Sequence, residues 1–392
     1  MAPGRLGGEA VQNTFAGIGF ACIDPVWVKR RMPVLTIAIP TFNRIEKLKR
    51  ALDAISKLVV PRDLELCVAI SNSHSEDKTD LFLSQLSLPN AALFLNNKGT
   101  VHLNNWTALS KVVPVHSDFV WLHGDDDIIF DTETLLKLDS FGIFQFNTGV
   151  SITSIPQARR SRNSGLHSIA NLGAYACRFG GHELLGWMSS LLLSGEAYFA
   201  YMAKYEASYN GNPDTAEIHA KGIGNLPHVT FFLEKFWSAN SMLVDMPLID
   251  EQVDPASKKE YALARRRIEF KFNYLFSDRF FFDAMNLTRL AQLHAEAQKA
   301  VFFRYTTKSL IDVLVTITID EVGSVDMPGR IPLRDKIRII DDALQMMGDQ
   351  SKVSSLSRVV RLLNSMASEG SFDTLRLKET FDPLSYPSQV VL

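Results

Sequence analysis

The sequence predicts an α/β protein: an open, mostly parallel sheet flanked by helices in the Rossmann manner, followed by a mainly α-helical C-terminal extension. Three observations predict it. Short apolar runs rich in β-branched residues begin about 27 to 30 residues apart over the first third of the chain, as strands joined by right-handed crossover helices require. Between these runs, apolar residues fall at helical spacing. Beyond residue 251, strand-like runs largely give way to long amphipathic stretches.

Taking the elements in order, residues 34–40 (VLTIAIP) form a run suited to a strand buried on both faces. Leu48, Ala51, Leu52 and Ile55 then mark one face of a helix, and residues 64–70 (LELCVAI) read as the second strand. A helix carrying Leu81, Phe82 and Leu86 leads past Pro89-Asn90 to a third strand at 91–95. A third helix aligns Leu103, Trp106 and Leu109, and residues 119–122 make a fourth strand. Residues 141–146 are a further strand candidate, 157–167 a polar basic loop and 183–209 a long helical region. Residues 211–227 are a loop with two prolines and three glycines, 229–237 a short buried helix, and 242–249 a strand interrupted by Pro247. The expected organisation is an N-terminal extension (1–31), a sheet domain (32–250, dividing at about 150 into a nucleotide-binding and an acceptor half) and a helical region (251–392).

With 392 residues, 46% hydrophobic and 21% charged, the chain has core enough for two to three domains at about 150 residues each, and its composition is that of a globular protein. Lys and Arg number 41 against 43 Asp and Glu, a net charge of -2, so no nucleic-acid partner is expected. Cys22, Cys67 and Cys177 lie far apart and in no CxxC pair, which argues against a disulfide framework or a zinc ribbon and for a reducing, cytoplasmic location. No stretch approaches the roughly 20 uninterrupted apolar residues of a membrane span. Residues 1–31 lack the basic start of a secretory signal; they are expected to be disordered or non-native, with Met32 as the native start.

Polar chemistry concentrates at the carboxyl ends of the first four strands, where such sheets bind ligands. The most informative segment is Asp125-Asp126-Asp127, directly after a buried strand. Three adjacent carboxylates repel one another unless a cation or solvent compensates, and hard oxygen donors suit Mg²⁺ or Mn²⁺. Such an ion would bridge the phosphates of a nucleotide. An Asp-rich helix start, favoured by the helix dipole, is the alternative without metal. At the end of the first strand, Pro40-Thr41-Phe42-Asn43-Arg44 offers Thr41 and Asn43 as helix caps. Arg44 is electrostatically misplaced at a helix N-terminus unless an anion lies nearby. Residues 71–77 (SNSHSED) can hydrogen-bond a base or simply make a turn.

In order, TIAIPTFNR, SNSHSEDKT, NNKGTVHLNNWTAL and WLHGDDDII resemble the inverting family-two glycosyltransferases of GT-A fold, within them the bacterial abequosyltransferase-like enzymes of surface-polysaccharide synthesis. The resemblance spans residues 34–129 and, more weakly, 224–249. It implies a nucleotide pocket at Pro40, Thr41, Asn43 and Arg44, with Asn72, Asn104 and Asp126 also on the sugar nucleotide. It implies a DxD metal site, with Asp125 and Asp127 as the expected ligands of Mn²⁺ or Mg²⁺. Where the family has Asp-Asn at the second strand end, this chain has Ser71-Asn72, which leaves the base open.

An inverting transfer needs a base for the acceptor hydroxyl. The family's register for it falls on His228, which would be base or metal ligand; a structural histidine at a Pro-initiated helix start is the plainer reading, and Glu183, Asp214, Glu217 and Glu234 are fallbacks. The resemblance implies transfer of a sugar from a nucleotide-diphosphate donor to a glycan or lipid-linked glycan. The alternative is a degenerate protein that binds a sugar nucleotide or a glycan. A nucleotidyltransferase is disfavoured, because PTFNRIEKLKR contains no glycine. Basic, aromatic stretches around Lys258-Lys259, Arg265-Arg266-Arg267 and Lys271 are compatible with peripheral contact to the inner face of the cytoplasmic membrane or with the solvated face of a packed helix.

Overall fold

In the computed structural model the described residues are 32–96, 105–129, 131–145, 149–152, 167–179, 181–208, 227–244, 246, 248–251, 361 and 365. All the elements described below lie within one unit, Pro33–Leu392. The expected helical region from residue 251, the loops at 157–166 and 211–226, and the N-terminal extension fall outside the described residues.

The first strand, β1 (Val34–Thr41), is buried at every position but Pro40, as its unbroken β-branched run demands. Helix α1 (Ile45–Ser56) buries the expected Leu48, Ala51, Leu52 and Ile55. Strand β2 (Glu65–Asn72), helix α2 (Thr79–Ser84), strand β3 (Ala92–Asn96), helix α3 (Asn105–Ser110) and strand β4 (Phe119–Leu122) complete the parallel half. In α2 the inward residues are Thr79 and Leu83, four apart, which turns the expected core residue Leu81 outward, 57% exposed.

The order continues with β5 (Asp127–Ile129), α4 (Thr134–Ser140), β6 (Val150–Ile152), β7 (His167–Asn171), α5 (Leu172–Phe179), α6 (Gly181–Leu185), a 3-10 turn (Met188–Ser190), β8 (Leu191–Ser194), α7 (Gly195–Ser208), α8 (Pro227–Phe236), β9 (Asn240–Val244) and β10 (Ile249–Glu251). The main sheet has eight strands in the order β3-β2-β1-β4-β8-β6-β9-β7. β3, β2, β1 and β4 are parallel, β8 is antiparallel to both β4 and β6, β6 and β9 are parallel, and β7 is antiparallel to β9. A small antiparallel ladder joins β5 to β10.

Alternation divides the core. Leu35, Ile37 and Ile39 of β1 pack with α1, α4 and Trp121 on one face, while Ala38 and Ala69 lie toward α3 and α5 to α8 on the other. Full burial of a large apolar side chain contributes about 1.5–3 kcal/mol, so both faces hold the sheet.

Three expectations are corrected. Residues 141–145 form a turn, not a strand. Gly142 adopts φ 76, a conformation that favours glycine. Its N–H donates to the Asp139 carbonyl at 2.7 Å and that of Ile143 to Leu138 at 3.2 Å, the Schellman closure of α4. Residues 183–209 are not one helix. Leu191–Leu193 pairs with strands on both sides, and Ser194 Oγ accepts the Ala197 N–H at 3.1 Å, capping a new helix, α7. Residues 242–249 split between two sheets, β9 in one and β10 in the other, rather than forming one interrupted strand. Among the described residues, no helix is long and apolar enough to cross a membrane.

Candidate functional site

The β1–β4 register sets Ala38 opposite Leu122 and continues through a His123 N–H bond to the Ala38 carbonyl at 3.0 Å. The same offset brings Thr41, three residues beyond Ala38, against Asp125, three beyond Leu122. Thr41 Oγ1 donates to Asp125 Oδ2 at 2.7 Å. Arg44, at the N-cap of α1, reaches across so that Nη1 lies 3.0 Å from Asp125 Oδ1 and 3.0 Å from Asp126 Oδ2. The cation that looked misplaced at a helix start therefore has its anions. Lys47, one turn on, places Nζ 3.7 Å from Asp126 Oδ2.

Burial pushes the Asp125 carboxyl up, outweighing the Thr41 hydrogen bond and the Arg44 charge, which pull the other way. For Arg44 the balance reverses: burial works against the charge, but the carboxylates of Asp125 and Asp126 hold its pKa above the ordinary value.

Asp127 is oriented differently. Its Oδ2 accepts the Trp187 indole N–H at 3.1 Å and the Ser189 hydroxyl. Ser189 Oγ also accepts the Gly124 N–H at 2.8 Å, and its carbonyl accepts Trp121 Nε1–H at 2.7 Å. A Cβ at Gly124 would lie 2.9 Å from Asp127 Oδ2 and 3.0 Å from Asp126 Oδ1, so a side chain there would push the two carboxylates out of place. His123 is wholly buried, with Nδ1 donating to the Gly124 carbonyl at 2.8 Å, and burial drives its pKa down to about 4.

The second strand end is latched onto the first. The Ser73 N–H donates to the Thr41 carbonyl at 3.0 Å, that of Asn43 to Ser75 Oγ at 2.8 Å, and that of Glu76 to Asn43 Oδ1 at 2.7 Å. Asp77, rather than Thr41 or Asn43, caps α1 by accepting the Ile45 N–H at 2.8 Å. Burial opposes its charge, but bonds from Thr79 and Ile45 together outweigh it and hold its carboxyl below the usual range. Asn72 is fully buried, accepting from Ser75 Oγ at 2.6 Å and donating to Asp80, so its amide serves the loop. Among the described residues, the non-glycine residues at positive φ are Asn43, His74 and Lys78, all in these two loops. Such strain concentrates where the surroundings over-determine a conformation, as at ligand sites.

The structure thus gathers Thr41, Asn43, Arg44, Asn72, Asp125, Asp126 and Asp127 at the ends of β1, β2 and β4, with the half-buried Pro40 beside Ser71. Asn104 lies outside the described residues. His228 opens α8 in the core, 2% exposed, beside the Tyr201 ring, with Nε2 3.0 Å from the Leu185 carbonyl. Because a carbonyl only accepts, Nε2 carries the proton and Nδ1 is bare. Burial lowers the pKa of His228 to about 4. Its described contacts are those of a structural histidine. Of the fallback bases, Glu234 pairs with Lys204 at 3.6 Å on the surface, and Asp214 and Glu217 lie outside the described residues. Glu183 belongs to α6.

Does the donor set suit a metal? Oxygens of Asp125 and Asp126 converge on one cationic atom, Arg44 Nη1, so the triplet builds a position for positive charge, and its oxygens are of the kind Mg²⁺ and Mn²⁺ prefer. Among the described residues no group of three or more His, Cys, Asp or Glu side chains is assembled to hold an ion. The pair that meets at the cation is Asp125 with Asp126, whereas Asp127, the expected partner of Asp125, faces Ser189 and Trp187. Its backbone opens β5, yet its carboxylate stays beside Asp126, Asp127 Oδ2 and Asp126 Oδ1 lying 2.9 and 3.0 Å from one point at Gly124, and its charge also helps hold the Arg44 pKa up.

Residues 187 and 189 had no sequence signal, because they lie 60 to 65 positions from the groups they hold. Lys47 was missed as well, although its place one helical turn beyond Arg44 is a signal that could have found it.

No family model matches the chain, and no curated protein matches it. Solved structures do. TarS residues 1–349 from S. aureus is similar at a TM-score of 0.50 and 14% identity, covering 91% of this chain and 93% of that one. The same protein in complex with UDP gives 0.50 and 15%, covering 91% and 94%. At this identity the likeness establishes the fold. The chain has the GT-A fold: a mixed, mostly parallel eight-stranded sheet flanked by helices.

Proposed function

We propose that the chain is a glycosyltransferase that moves a sugar, with inversion, from a nucleoside-diphosphate donor to a hydroxyl of a glycan or lipid-linked glycan. The observation that carries this reading is the acidic triplet held by Thr41 and Arg44 against the end of β1, the end of the sheet where GT-A and other open α/β sheets bind ligands. The complex of similarly folded TarS with UDP supports a nucleoside-diphosphate ligand.

In the proposed reaction an acceptor oxygen attacks the anomeric carbon, the bond from that carbon to the phosphate oxygen breaks, and the nucleoside diphosphate leaves with the electron pair. Thr41, Asn43, Arg44, Asn72, Asn104 and Asp126 are assigned to the donor, with Pro40 shaping the pocket wall. Asp125 and Asp127 would hold Mn²⁺ or Mg²⁺. The ion, when bound, neutralises charge on the diphosphate. Arg44 supplies a forked donor for phosphate oxygens. His228 is assigned the acceptor's proton, through Nδ1. Its depressed pKa makes it a weak base, so this assignment rests on the resemblance alone. A surface-polysaccharide role at the inner face of the cytoplasmic membrane rests on the same ground.

A second reading is a sugar-nucleotide binding protein without turnover. It is favoured by a triplet already partly neutralised by Arg44 and Lys47 and by a buried, neutral His228. A donor screen separates the two. Diphosphate release with Mn²⁺ from any of a panel of sugar nucleotides supports the enzyme, while binding without release supports the sensor.

A further inference from the structure

We infer that Lys47, with Arg44, is a built-in counter-ion of the acidic triplet that passes to the donor's diphosphate when the triplet takes up its metal, making Lys47 a further donor-binding residue. The inference rests on the reading above and extends it to a residue that neither the strand-end motifs nor the resemblance includes.

Three placements carry it. Arg44 and Lys47 stand three residues apart at the start of α1, on one side of the helix. Both reach the same carboxylate oxygen, Asp126 Oδ2, at 3.0 and 3.7 Å. That oxygen belongs to the more exposed of the paired acids, for the Asp126 side chain is 29% accessible against 5% for Asp125. Three carboxylates faced by two cations leave one net negative charge, so the free protein already meets most of the triplet's electrostatic need.

A divalent ion approaching alone must compete with two tethered cations. With a diphosphate present the competition lifts, because the displaced ammonium and guanidinium gain phosphate oxygens. Metal and nucleotide then bind with positive coupling, which by linkage is reciprocal. Lys49 is the internal control. Two residues on, it pairs with Glu46 at 2.8 Å and lies over the Phe82 ring, away from the triplet.

The test uses the full chain and two probes, Mn²⁺ alone, followed by electron paramagnetic resonance, and UDP or GDP at saturating Mn²⁺, followed by calorimetry. Lys47→Gln is expected to bind Mn²⁺ alone about fivefold tighter and the nucleotide in Mn²⁺ about fivefold weaker, the low end of measured couplings. Lys47→Arg should restore both values, and Lys49→Gln should change neither. The opposite signs are the diagnostic, since damage to the fold would weaken both. Mn²⁺ and nucleotide affinities unchanged in Lys47→Gln, or lowered together, overturn the inference and leave the proposed function standing. If the native chain binds neither Mn²⁺ nor any nucleoside diphosphate, the proposed function and the inference fail together.

Discussion

Replacing Ser189 by Ala tests whether the acidic triplet is held from the far side of the sequence. The hydroxyl makes two bonds at once, accepting the Gly124 N–H at 2.8 Å and donating to the Asp127 carboxylate. Ser189 and Asp127 are both buried. Losing a hydrogen bond to a charged group costs about 1.5–3 kcal/mol, and a buried N–H left without its partner about 1–3 kcal/mol. Trp187 Nε1 still serves the same carboxylate oxygen and Gly124 is only half-buried, so the total should fall near the low end, about 2–3 kcal/mol. At about 2.1 cal/mol/K of unfolding entropy per residue, a unit as long as Pro33–Leu392 shifts by about 1.3 °C per kcal/mol, so the midpoint of thermal unfolding drops by roughly 3–4 °C. The neighbouring Ser190 is the comparison. Its hydroxyl donates to the Trp187 carbonyl within the same turn, at 2.7 Å, and Ser190→Ala should cost about 1 kcal/mol. Calorimetry on both variants, with nucleotide binding measured alongside, checks the claim. Ser189→Ala should be the more damaged on both counts. A Ser189→Ala midpoint within 1 °C of the native protein, or one above that of Ser190→Ala, would refute the reasoning.

Two further outcomes are expected. Asp77→Ala removes the cap on Ile45 and should lower stability by about 1 kcal/mol, read by thermal unfolding, with Asp77→Asn losing less; equal stability of all three proteins would show that the latch contributes nothing. His228 is neutral in the fold with a pKa of about 4 against about 6.5 unfolded, so between those values the unfolded chain binds the extra proton and stability falls with falling pH. The contribution is whole above pH 6.5 and shrinks by roughly 2.5 kcal/mol by pH 4.5. His123, also buried with a pKa of about 4, acts over the same range, so His228→Gln, which keeps a donor for the Leu185 carbonyl, should remove about half of that slope, and an unchanged profile would contradict the buried, neutral state of His228.

How far the fold could be read ahead depended on whether each signal was local. The run at residues 34–40 and the helical spacing of Leu48, Ala51, Leu52 and Ile55 are self-contained, and the structure forms both, the strand reaching one residue further to Thr41. Leu191–Ser194 could not be read so, because four apolar-rich residues fit a buried strand and a buried helix equally well until their partners are known. The run around Phe144 was misread because Ile143 is buried by closing the end of α4 rather than by joining a sheet.

The site divides the same way. Three adjacent acids announce themselves, and their meeting with Thr41 and Arg44 follows once β1 and β4 are neighbours. The cap on α1 was expected from adjacent residues, whereas Asp77 delivers it from 32 positions away. Trp187 and Ser189, which hold the Asp127 carboxylate, come from farther still.

The most direct measurement is release of nucleoside diphosphate from a donor sugar nucleotide, with Mn²⁺ and an acceptor, by the native chain and by Asp125→Asn and Asp127→Asn. The native chain should turn over only with the metal present, and each variant should lose at least about 100-fold, comparable to removing one preorganised electrostatic contact from a transition state. Full turnover by both variants without added metal would contradict the account.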